Sequence, residues 1–216
     1  MKKIISFSLW GNNPVYNIGA IRNAELSKEI YPEWICRYYY GTSTLDSTIE
    51  KLKTFNNVEL INMDVAGDWT GMFWRFYPAS DNDVDVVIVR DCDSRLNMRE
   101  KYAVEEWLNS DKGFHIMRDH PAHGTEILGG MWGSKKGVII NMKELIDEYV
   151  KGNFWQVYQN FLREKIYPIV RLDSIVHDDY FEHKPFPKHR ENKTFVGQAF
   201  NEIDEMLYPE HVNHLL

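Results

Sequence analysis

The sequence predicts an α/β fold with a mainly parallel central sheet flanked by helices and a loop-rich C-terminal tail. Three observations support this. Short apolar or aromatic runs alternate with amphipathic stretches from Lys3 to Met117, the order that produces a doubly wound sheet. One run, Val84 with Val86 to Val89, is almost unbroken in its β-branched residues, as expected of a strand covered on both faces. Just past it stand Asp91 and Asp93, at the edge where open α/β sheets bind ligands.

The elements follow in order. Lys3 to Leu9 reads as the first strand, and Ile18 to Ile30 as a helix closed by Pro32. Ile35 to Tyr40 is the second strand; Ser47 to Phe55 is a helix in which Ser47 and Glu50 have capping-box spacing. Val58 to Asn62 is the third strand, Gly71 to Phe76 a short helix and Val84 to Val89 the fourth strand. Arg99 to Asn109 places Ala103, Val104, Trp107 and Leu108 on one helical face, and Phe114 to Met117 is a further strand. Beyond a Gly-rich segment from Gly124 to Gly137, helices are expected over Asn141 to Val150 and Phe154 to Tyr167, with Pro168 stopping the second. From Arg171 onward the chain is polar, aromatic and rich in turn residues.

Composition bounds the function. The chain has 216 residues, of which 44% are hydrophobic and 26% charged; this suits one domain with a substantial core. A net charge of −7 argues against nucleic acid as a partner, because phosphate backbones require basic surfaces. A nucleotide is compatible, since a metal can neutralise it. Cys36 and Cys92 match no zinc or redox spacing, and a reduced, cytoplasmic setting is the simplest expectation. No stretch is long and apolar enough to span a membrane, and the N-terminal run is too short for a signal peptide. Peripheral membrane contact through a basic or aromatic patch stays open.

The chemistry concentrates at Arg90-Asp91-Cys92-Asp93-Ser94-Arg95. An Asp-x-Asp triplet is commonly a solvated turn or a cap. At the end of a buried strand it is placed to hold Mg²⁺ or Mn²⁺, which take oxygen ligands and often combine one or two carboxylates with substrate phosphates. Arg90 and Arg95 suit either phosphate neutralisation or ion pairing with the aspartates.

With three strands before this triplet, and with Arg99-Glu100 and Arg118-Asp119-His120-Pro121 after it, the sequence resembles GT-A-type glycosyltransferases that use nucleotide sugars, in particular small capsule- and glycan-building enzymes of bacteria and algal viruses. The resemblance runs from Ser8 to about Gly197. It implies a single Rossmann-like GT-A domain over residues 1–216, with a nucleotide-binding half at 1–120 and a donor-sugar and acceptor half with the tail at 121–216. It also implies a hexose or deoxyhexose moved from a UDP-sugar to a glycan or other hydroxyl acceptor, in polysaccharide biosynthesis.

Carried over position by position, the resemblance makes Asp91 and Asp93 metal ligands and His177 the third. Asp178 is the next choice; the apolar approach Ile175-Val176 reads as a strand end delivering that ligand. Ser8, Leu9, Trp10, Gly11 and Tyr16 fall in the loop expected to hold base and ribose, although Trp10 and Tyr16 are equally suited to the core. Arg22, Arg75, Arg90 and Cys92 are expected donor contacts, with Trp74-Arg75-Phe76 where related enzymes place a donor-contacting helix. Asp119 is expected to grip donor-sugar hydroxyls, and Gly129-Gly130 to let backbone approach the sugar. Retention is expected, with Gln159 near the reacting face, although Tyr158-Gln159-Asn160 lacks the aspartate that related retaining enzymes carry there. An inverting enzyme would instead need a carboxylate base such as Asp119, Asp173, Asp178 or Asp179.

Other classes fare less well. A haloacid-type phosphatase carries its Asp-x-Asp after the first strand, and a sugar-nucleotide pyrophosphorylase needs a Gly-rich basic loop there, unlike Leu9-Trp10-Gly11-Asn12-Asn13-Pro14. A non-catalytic nucleotide-sugar or glycan-binding module, or another metal-dependent nucleotide-sugar enzyme, remains as the alternative.

Overall fold

The computed structural model describes residues 1–149, 152 and 154–215. Seven strands form one sheet: β1 (Lys3–Leu9), β2 (Ile35–Tyr40), β3 (Val58–Asn62), β4 (Val86–Val89), β5 (Phe114–Arg118), β6 (Trp132–Lys135) and β7 (Ser174–Asp178). Their order is β3-β2-β1-β4-β6-β5-β7. Every neighbouring pair is parallel except the two made by β6, which runs antiparallel to both β4 and β5. The carboxyl ends of β1, β4, β5 and β7 therefore share one edge.

Alternating side chains feed two cores. Ile5, Phe7 and Leu9 of β1, with Val86 and Ile88 of β4, pack under helices α1 (Pro14–Ile30) and α3 (Met98–Asn109). Ile4, Val87 and Val89 join Phe73, Phe76, Trp132 and Phe161 on the opposite face. All four residues of β4 are buried, as its β-branched run requires.

Several sequence expectations shift for local reasons. Helix α1 begins at Pro14, four positions early, because Asn13 caps it through Val15 N and proline suits a first turn. Helix α2 (Asp46–Lys53) starts after Leu45 without a side-chain cap, so the Ser47–Glu50 box does not form. The helix expected at Gly71 to Phe76 is a longer run of 3-10 turns, Trp69–Ser80, capped by Asp68. Strand β6 lies in the segment read as merely Gly-rich. Helix α4 (Met142–Glu148) stops short of the expected end at Val150, which lies outside the described residues.

Pro168 does not stop its helix. Helix α5 (Val157–Phe161) passes through one π turn (Leu162–Ile166) into α6 (Tyr167–Val170). The π turn resets the hydrogen-bond register, so Pro168 falls in the first turn of a new segment, where its missing N–H costs little. Among the described residues no helix is long and apolar enough to cross a membrane.

Candidate active site at the carboxyl end of the fourth strand

A cleft of about 630 Å³ opens where the chain leaves β1 and β4. The β1 exit supplies Ser8, Leu9, Trp10 and Gly11, the start of α1 supplies Tyr16, and the 3-10 run contributes Trp69, Met72 and Arg75. Asp91, Cys92 and Asp93 form the floor beyond β4. Trp155 and Tyr158 close one side, and Tyr208 enters from the tail.

Arg75 organises the floor. Its backbone N–H donates to Ser8 Oγ at 3.1 Å, its Nη1 donates to Asp91 Oδ1, and its guanidinium lies 5.5 Å from the centre of the Tyr158 ring. Nε and Nη2 of this buried side chain have no hydrogen-bond partner among the described residues. Gly129 and Gly130 wrap this pair closely. A Cβ on Gly130 would sit 1.9 Å from Asp91 Oδ2, and one on Gly129 would sit 2.8 Å from Arg75 Nη2. Both positions thus require glycine because the turn packs directly against Asp91, Arg75 and the Tyr158 ring.

Asp93 is the electrostatically exposed partner. Burial, then the neighbouring Asp91 charge, pushes its carboxyl up to about 7, with Arg75 and Arg95 pulling the other way. Burial and the same two carboxylates raise the Tyr16 hydroxyl to about 12. A pair with this surplus of negative charge, beside buried guanidinium donors lacking partners, fits a divalent cation shared with a diphosphate. No cluster of three or more His, Cys, Asp or Glu with metal-site geometry occurs among the described residues.

The tail is strapped to this floor. Phe200 N–H donates to Asp93 O at 2.8 Å, Ser94 and Ala199 form a bridge, and Arg95 holds Asp204 at 2.9 Å. These contacts deliver Tyr208 to the cleft.

Five expected site residues lie elsewhere. His177 ends on β7, three strand spacings (about 14 Å) from β4. Its Nδ1 meets His115 Nε2 at 2.8 Å, and its Nε2 lies 3.4 Å from Glu106. Asp119 is fully buried, gripped by Arg99 through two 2.8 Å bonds, by Arg190 at 2.7 Å and by the Val196 amide at 2.9 Å. Arg90 is paired inside the protein with Glu100 at 3.2 Å. Arg22 lies on the outer face of α1, held by Glu25 and Asp204, both at 3.1 Å. Gln159 follows Tyr158 on α5, turned about 100° round the helix from it, and does not line the cleft. The runner-up ligand Asp178 is likewise closed off on β7, accepting from the Tyr180, Phe181 and Glu182 amides.

Sequence reasoning missed Asn12, Asn13, Asp68, Trp69, Met72, Trp155, Tyr158 and Tyr208. Trp69, Trp155 and Tyr208 carry the one available signal, an aromatic in a polar stretch, as in Gly67-Asp68-Trp69-Thr70-Gly71.

The fold is that of the GT-A glycosyltransferases. The chain superposes on a glycosyltransferase involved in glycosylation of the major capsid of PBCV-1 at a TM-score of 0.55 and 16% identity, over 84% of each chain. It matches Mycobacterium tuberculosis glucosyl-3-phosphoglycerate synthase, solved with Mn²⁺, UDP and glucosyl-3-phosphoglycerate, at 0.52 and 11%, over 88% of this chain and 72% of that one. A Pyrobaculum calidifontis mannosyltransferase, in complex with GDP-Man and Mn²⁺, matches at 0.51 and 12%, over 82% and 55% respectively. At these identities the likeness concerns the fold. No family model and no curated protein sequence matches the chain.

Proposed function

We propose that the protein is a metal-dependent glycosyltransferase that moves a hexose or deoxyhexose from a UDP-sugar to a glycan hydroxyl with retention. The observation that carries this reading is the Asp91–Asp93 pair, under-compensated by the single arginine Arg75 on the floor of a cleft in a GT-A fold. Asp91 and Asp93 would hold Mn²⁺ or Mg²⁺, which when bound supplies Lewis-acid stabilisation of the departing diphosphate. The neighbours solved with Mn²⁺ and UDP or GDP-Man support this choice. Residues 1–120 then form the donor half, with Tyr16 at its border with the acceptor half, to which 121–216 supply Trp155, Tyr158 and Tyr208.

Arg75 holds Asp91 in place through Nη1, while its Nε and Nη2 are buried without a partner among the described residues. Trp10, set edge-on to Trp74 with centroids 5.9 Å apart, forms the wall on the base side. Retention has a specific support. Apart from the metal pair, Asp68 is the one carboxylate among the described cleft residues, and its Oδ1 accepts from Thr70 N and Oγ1 at 2.8 and 2.6 Å. With that carboxylate serving as the cap of the Trp69–Ser80 run, the acceptor proton goes to the departing oxygen. The bond from the anomeric carbon to the phosphate oxygen breaks with its electron pair on the phosphate. The acceptor oxygen bonds that carbon from the same face, and its proton passes to the released phosphate oxygen.

Incubation with a panel of UDP-sugars should give release of UDP that requires Mn²⁺ or Mg²⁺ and stops on chelation. An NMR coupling constant on the product should report the donor's anomeric configuration. No metal-dependent turnover with any nucleotide sugar contradicts the transferase reading; an inverted product contradicts retention alone.

A further inference from the structure

We infer that the acceptor is an uncharged carbohydrate that lays its apolar ring face against Trp155, Tyr208 and Tyr16; this rests on the transferase reading. The first argument is exposure. Trp155 is 64% exposed, Tyr208 48% and Tyr16 43%, yet all three line the same cleft. Large aromatics left open to water around a concave site mark a surface kept for a ligand. Tyr16, Tyr208 and Trp155 line the same cleft as the floor carboxylates Asp91 and Asp93. The wall therefore adjoins the reacting centre.

The second argument is charge. Among the described cleft residues the anions are Asp68, Asp91 and Asp93, whereas the cation is Arg75, already bound to Asp91. Adding one divalent cation and one nucleoside diphosphate leaves the negative excess in place. A phosphate- or carboxylate-bearing acceptor would meet repulsion and find no exposed guanidinium or ammonium among these residues, Arg75 being buried. A neutral pyranose avoids that cost. Its C–H face packs on the rings, while its hydroxyls can donate to the acidic floor.

Saturation-transfer NMR on the full chain with Mg²⁺ and UDP tests this. The neutral probes are maltotriose, mannotriose and galactotriose; the anionic ones are glycerol 3-phosphate and glucuronic acid. We expect transfer to at least one neutral trisaccharide and to neither anion. Trp155→Ala and Tyr208→Ala should each weaken that binding about tenfold, as loss of one stacked ring does, and Trp155→Phe should restore most of it. Stronger binding of an anionic probe, unchanged affinity in both alanine variants, or no bound trisaccharide would each overturn the inference. Thermal stabilisation by UDP with Mg²⁺, read on the same samples, separates the two failures. If it is present without bound saccharide, only the acceptor assignment fails; if it is absent, the donor site fails.

Discussion

At the end of β4, Asp91 pairs with one arginine, Arg75, while Asp93 has no ion pair among the described residues, and both face a cleft. On the same edge of the sheet, Asp119 after β5 and Asp178-Asp179 at the end of β7 are divided among Arg99, Arg118 and Arg190. In sequence both regions read alike, as acidic residues following an apolar strand. Their electrostatics differ in direction. Burial and Asp91 push the Asp93 carboxyl up to about 7. Burial also pushes on Asp178, but the amides of Phe181, Tyr180 and Glu182, with Arg118, outweigh it and hold that carboxyl below its ordinary value. A carboxylate given its counter-charges by the protein is a structural tie, and one left short of them is free to take a cation.

Three perturbations probe that contrast. Asp119→Ala strands Arg99 and Arg190 against a dry interior, and should cost about 3–5 kcal/mol of stability in chemical denaturation. A loss below 1 kcal/mol would remove the structural role. Gly130→Ala drives a methyl group into Asp91. It should reduce kcat/KM for a UDP-sugar about a hundredfold, as misplacement of a metal-holding group by an ångström does, while circular dichroism stays native. The third concerns pH. Below about 7 Asp93 carries a proton that a cation must displace, so Mn²⁺ affinity should fall about tenfold per pH unit below 7 and level off above it. Because this carboxyl is raised above its ordinary 3.8, the folded state binds the extra proton. Metal-free protein should therefore lose stability as pH rises from about 4 to 7, the reverse of Asp178's contribution.

The contrast also explains what the sequence revealed. Strand β4 and its two aspartates were legible because a buried β-branched run and an adjacent acidic pair are local patterns. The doubly wound first half was legible for the same reason, whereas β6 was not: Trp132-Gly133-Ser134 looks like turn chemistry until β4 and β5 flank it. Arginine allocation is non-local. Arg99 reaches Asp119 across 20 positions and Arg190 across 71, and no spacing rule anticipates either. Hence Asp119 and His177, sensible choices on their neighbours, are bound up in contacts away from the cleft. The aromatic wall was hidden likewise, since Tyr208 reaches the cleft only because the tail is fastened at Ala199, Phe200 and Asp204.

Calorimetric titration of UDP, with and without Mn²⁺, into the parent protein, Asp93→Asn and Asp179→Asn compares one acidic residue from each region. The parent and Asp179→Asn should bind UDP only with Mn²⁺ and with matching affinity, while Asp93→Asn loses about a hundredfold or more. Undiminished metal-dependent binding in Asp93→Asn, or an equal loss in Asp179→Asn, would contradict the assignment of the β4 pair as the cation site.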